Sequence, residues 1–62
     1  MEPEAIYRLE WDSAERAVTK VGYFFYMRKI AALLADRYKE AVTIKRFIIE
    51  DKEWITIWKV EP

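Results

Sequence analysis

The chain has no cysteine, no histidine, no asparagine and no glutamine, and a single glycine among its 62 residues. Without cysteine there is no disulfide, and without cysteine or histidine nearly every zinc site is excluded. General acid–base and nucleophilic chemistry loses its commonest side chains as well. Asp, Glu, Lys, Tyr and the lone Ser13 remain, and Ser13 is better explained by helix-start chemistry. No catalytic residue, cofactor or metal is therefore expected. The acidic group Glu50, Asp51 and Glu53 is broken by Lys52 and reads as a solvated turn rather than a cation site.

Charge of one sign is missing too. Eleven basic and eleven acidic residues cancel, so nothing draws the whole molecule toward nucleic acid or an anionic membrane. The longest uncharged apolar run is Val21-Gly22-Tyr23-Phe24-Phe25-Tyr26-Met27, far short of the roughly 20 residues of a membrane span. Met1-Glu2-Pro3-Glu4 is acidic where a secretory signal is basic, and a soluble cytoplasmic protein is expected. Loss of the thermolabile amides with abundant Glu, Lys and Arg is a hyperthermophile habit. A de novo designed oligomer or binder shares that habit, but neither the expected helix exit nor the expected hairpin turn carries the Gly or Asn that designers place there.

What is present reads as α+β, in the order β-α-β-β, with one long helix packed on a three-stranded sheet and a single domain over residues 1–62. Glu4 to Trp11 alternates Ala5, Tyr7, Leu9 and Trp11 against Ile6, Arg8 and Glu10, a strand of period two. Asp12-Ser13-Ala14-Glu15 has the form of a capping box, and nothing but Gly22 interrupts a helix from Ser13 to about Lys39. Ala41 to Glu50 and Trp54 to Glu61 alternate as two strands of a hairpin, with Asp51-Lys52 taken as its turn.

This arrangement carries more apolar surface than one helix and one sheet can cover. Ala14, Ala17, Val18, Val21 and Phe25 follow 3,4 spacing on one side of the helix, while Tyr23, Met27, Ile30, Leu34 and Tyr38 follow it on another. Phe47, Trp54 and Trp58 fall together on a second sheet face that one helix leaves open. A helix of 27 or so residues also overhangs strands of eight or nine by about two turns. Small domains without disulfides or metals lean on oligomerisation. The expected interface is accordingly Gly22, Tyr23, Tyr26, Met27, Ile30, Leu34, Tyr38, Phe47, Trp54 and Trp58, with Gly22 a point of close approach. The partner is a second copy or another protein. A competing use of the sheet is nucleic-acid binding, since Lys45, Arg46 and Lys59 interleave with Phe47, Trp54 and Trp58.

Leu9-Glu10-Trp11 running into Ser13, Glu15, Ala17, Val21 and Tyr23, with a closing Trp54-Ile55-Thr56-Ile57, resembles the small dimerising subunit of the archaeal KEOPS complex, which modifies tRNA. The resemblance implies a non-catalytic subunit that pairs with a second copy or a paralogue and bridges a catalytic partner.

Overall fold

The computed structural model describes residues 3–13 and 16–62. Four strands and one helix follow in the order β1 (Ala5–Trp11), β2 (Ala17–Gly22), α1 (Phe24–Tyr38), β3 (Val42–Ile48) and β4 (Glu53–Val60). The sheet is antiparallel throughout, ordered β2-β1-β3-β4. The α+β class holds, but the order is β-β-α-β-β and the sheet has four strands, not three.

The extra strand replaces the first half of the expected helix. Ala17-Val18-Thr19-Lys20-Val21 holds three β-branched residues in five, which favour a pleated surface over a helical turn. Pairing with β1 from Ala5↔Gly22 to Glu10↔Ala17 then satisfies one side of its backbone. Asp12 is consequently no helix cap. It opens the β1–β2 connection, its N–H donates to the Ala41 carbonyl at 3.1 Å, and its carboxylate meets Lys59 Nζ at 3.5 Å. The Ser13 N–H donates to the Glu40 carboxylate, and hydrogen bonding with the Ser13 side chain, then with its backbone, holds that carboxyl below its usual range. Ala14 and Glu15, the other half of the expected capping box, lie outside the described residues.

At 15 residues the helix matches its strands in length, at about 22 Å against about 23–27 Å, and the overhang disappears. It starts directly after Gly22, with Tyr23 extended at the N-cap position, and ends at Lys39, whose backbone is left-handed at φ 55 and ψ 43. Val21 to Met27 is thus a strand-to-helix junction, not the middle of a helix.

Met27, Ala31 and Ala35 form the seam of α1, two of them small enough to bring the helix close to the sheet. They pack on Tyr7, Leu9 and Trp11 of β1 and on Val42 and Ile44 of β3, the fully covered centre. Phe24, Ile30 and Leu34 of the helix, Val18 of β2, and Ile57 and Val60 of β4 flank this core. Trp11 closes one end edge-to-face on Tyr38 at 5.5 Å, with the Arg16 guanidinium 4.7 Å from the Tyr38 ring centre.

The β3–β4 hairpin departs from the expected register. Ile48↔Glu53 is its last pair, so the loop is Ile49-Glu50-Asp51-Lys52 with Lys52 left-handed at φ 53. A two-residue turn would have set Glu50 directly against Glu53, a like-charge pair that costs stability. A bulge follows, since Ile44 pairs with Trp58 but Lys45 pairs with Thr56, leaving Ile57 as the extra residue.

Candidate interaction surface

The bulge decides where the aromatic side chains go. Beyond it Trp58 and Val60 lie on the helix side, opposite Val42 and Ile44. Trp58 meets Phe24 at 6.0 Å, and the Arg28 guanidinium sits 4.3 Å from its ring centre. Phe47 and Trp54, in ring contact at 5.2 Å, lie on the other face. The aromatic face expected from plain alternation is therefore split in two, because one extra residue reverses the parity of everything after it.

The outer face is otherwise polar at its centre. Glu10 accepts from Arg8 Nε at 2.7 Å and meets Lys45 Nζ at 3.0 Å, so one carboxylate serves two cations that stand opposite each other on β1 and β3. The hydrogen bond from Lys45, then that from Arg8, holds the Glu10 carboxyl below its usual range against the opposing effect of burial. Of the three basic residues considered for nucleic acid, Lys45 is paired with Glu10 and Lys59 with Asp12. Arg46, one position on from Lys45 along β3, turns to the helix side and lines a cleft with Tyr7, Phe24 and Trp58. The three do not form one patch.

The ten expected interface residues divide by position. Met27 is 3% exposed and belongs to the core. Gly22 does mark a close approach, but within the chain: a Cβ there would lie 3.1 Å from Met27 Cε. Gly22, Tyr23, Tyr26, Met27 and Ile30 are nevertheless brought together, lining with Lys20 a groove of ≈ 510 Å³ between β2 and α1. Leu34 is partly buried beside it, and Tyr38 is committed to Trp11.

The groove exists because α1 sits over β1, β3 and β4 and leaves β2 largely uncovered. At about 100° per residue from the seam at Ala31, the flank turned toward β2 carries Tyr23, Ile30 and Leu34 with Arg37 at its far end, and Tyr26 and Leu33 stand above it toward the outer ridge of the helix. Tyr26 is 61% and Leu33 72% exposed. The flank turned toward β4 carries Phe25, Arg28, Lys29 and Ala32, and its Lys29 ammonium caps Phe25 at 4.7 Å. Sequence periodicity found Tyr23, Tyr26, Ile30 and Leu34. It passed over Leu33, the most exposed large apolar residue of the helix, and the strand beside it.

The molecule is thus a small α+β domain with a largely apolar helix flank beside an open sheet edge. Compared with protein families, with characterised proteins and with solved structures, the chain matches none. Among the described residues no helix is long and apolar enough to cross a membrane.

Proposed function

We propose that this protein is a non-catalytic protein-interaction module, working as an obligate oligomer or as the small subunit of a larger complex. The observation that carries the proposal is the apolar surface of α1 beside β2, where Tyr26 and Leu33 stand in solvent next to Ile30 and the Tyr23–Gly22 groove. Large exposed apolar patches of this kind mark interfaces. Burying a Leu-, Ile- or Phe-sized side chain fully is worth roughly 1.5–3 kcal/mol. Several such groups on each partner are needed to outweigh the roughly 4–15 kcal/mol lost in translational and rotational freedom on association, and the flank together with the groove supplies them. A single-strand nucleic-acid binder on the sheet has less behind it, because two of its three cations already hold carboxylates and the third faces the other way.

Sedimentation equilibrium tests the proposal. Association at micromolar concentration is expected for the wild type. It should weaken at least about tenfold in Leu33→Asp, which places a charge in the patch, and stay unchanged in Phe25→Asp on the opposite flank. A well-folded wild-type monomer at micromolar concentration, with no partner present, would overturn it.

A further inference from the structure

We infer that the partner is a second copy of this chain, added along the free edge of β2 so that the two sheets join into one about a two-fold axis at Thr19. The inference rests on the interaction-module proposal and goes beyond it in naming the occupant and the register.

The phase of the edge is fixed by one hydrogen bond. The Trp11 N–H donates to the Arg16 carbonyl at 3.2 Å, and continuing the β1–β2 register makes Arg16 the partner of Trp11. In an antiparallel ladder, residues alternate between turning both backbone groups to the neighbouring strand and turning both away. Arg16, Val18, Lys20 and Gly22 therefore turn inward to β1. Ala17, Thr19 and Val21 present their N–H and C=O groups at the open edge, where β2 is the terminal strand.

Three two-fold registers pair at least two of these outward residues with one another, and charge and hydrogen bonding separate them. An axis at Lys20 sets Lys20 against its own copy. An axis at Val18 sets Arg16 against the copy's Lys20. Like charges directly opposite are destabilising. An axis at Thr19 sets Thr19 on Thr19, Ala17 on the copy's Val21 and Val18 on the copy's Lys20. It opposes no like charges among these residues, and it is the register in which Ala17, Thr19 and Val21 all exchange hydrogen bonds. Such an isologous contact is self-complementary by construction. It also puts both helix flanks on the same side of the joined sheet, one on either side of the axis, so the two grooves run side by side over the β2–β2 seam.

Because the chain has no cysteine, single thiols read out the register. In Thr19→Cys the two Cα atoms would stand about 5.5 Å apart, as in a hydrogen-bonded antiparallel pair, within disulfide range. In Val21→Cys they would stand about 14 Å apart, four residues of offset at about 3.4 Å each, beyond reach. Under mild oxidation at micromolar protein, Thr19→Cys should give the covalent dimer about a hundredfold faster than Val21→Cys, since a paired thiol has an effective concentration of order millimolar. An equimolar mixture of Ala17→Cys and Val21→Cys should cross-link as the mixed species. Equal rates for Thr19→Cys and Val21→Cys would overturn the pairing. If those rates are equal while the wild type sediments as a dimer, the register alone fails; if the wild type is also a folded monomer, the interaction-module proposal fails with it.

Discussion

The two edges of this sheet are built differently. Strand β4 ends one side with eight residues, among them two tryptophans and two isoleucines, yet its ladder is broken by the Ile57 bulge and its helix flank carries Arg28 and Lys29. Bulges and charges are the usual means of keeping an edge from pairing with another chain. Strand β2 is shorter and less hydrophobic. It has no bulge in its pairing with β1, no proline, one charged residue in Lys20, and alongside it a helix flank whose one charge is Arg37 in the last turn. Hydrophobic content alone would point to β4, the edge opposite the one proposed to pair. Regular backbone and fewer charges favour β2 as the edge for the proposed pairing.

Neighbouring prolines break the comparison most sharply. Val18→Pro removes an N–H that β2 gives to β1, and should unfold the domain at a cost of the order of 3 kcal/mol, a large share of the total for a chain this size. Thr19→Pro removes an N–H that faces outward, a position where an edge strand tolerates proline. It should leave a folded monomer by circular dichroism and abolish association. Equal unfolding by both would show that the edge phase is misassigned.

Deleting Ile57 comes next. It restores plain alternation without moving Trp54, Thr56, Trp58 or Val60 to another face, so the β4 edge straightens. Species larger than the wild-type assembly should then appear in sedimentation velocity. If the distribution does not change, the bulge is not what keeps β4 unpaired.

The smallest effect lies in the sheet between the edges. Glu10 has a lowered carboxyl pKa in the folded state, so its contribution is present above the unfolded value and lost as pH falls through the folded one. The stability difference between wild type and Glu10→Gln should shrink as pH is lowered from about 7 to about 3. With Arg8 and Lys45 side chains 40% and 31% exposed, it should stay below about 1 kcal/mol. A difference that grows toward acid would refute the assignment.

Strands β1, β3 and β4, the single helix and its end near Lys39 are all visible in the periodicity of the sequence. Strand β2 is not, because Ala14, Ala17, Val18 and Val21 satisfy helical spacing as well as their neighbours satisfy alternation, and no proline or Asn-Gly marks the hairpin. Two signals outweigh that spacing in retrospect: the β-branched density of Val18-Thr19-Val21, and a helix too long for the strands it must cover. Gly22 does interrupt a helix pattern, but as the last residue of a strand. The places of the turns at Lys39 and Lys52 were legible but their left-handed backbone was not, since Gly or Asn usually announces that conformation. The exposed apolar residues of α1 were legible as a surplus stripe, Leu33 excepted. Their neighbour β2 was not, and Trp58 changed face through a bulge that no local pattern reveals.

The strand order also sets an order in time. Each edge strand pairs with its neighbour along the chain, β2 with β1 and β4 with β3, while the central pair joins segments as distant as Tyr7 and Arg46. Hairpins close in about 1–10 μs, and the central ladder waits on the larger entropy of closing a longer loop. The β1–β2 hairpin, with Thr19 already outward, is then expected to form before the core that will support it. Mutational φ-values higher within that hairpin than across β1–β3 would show this order, and would make pairing between copies a step that can begin while each copy is still folding.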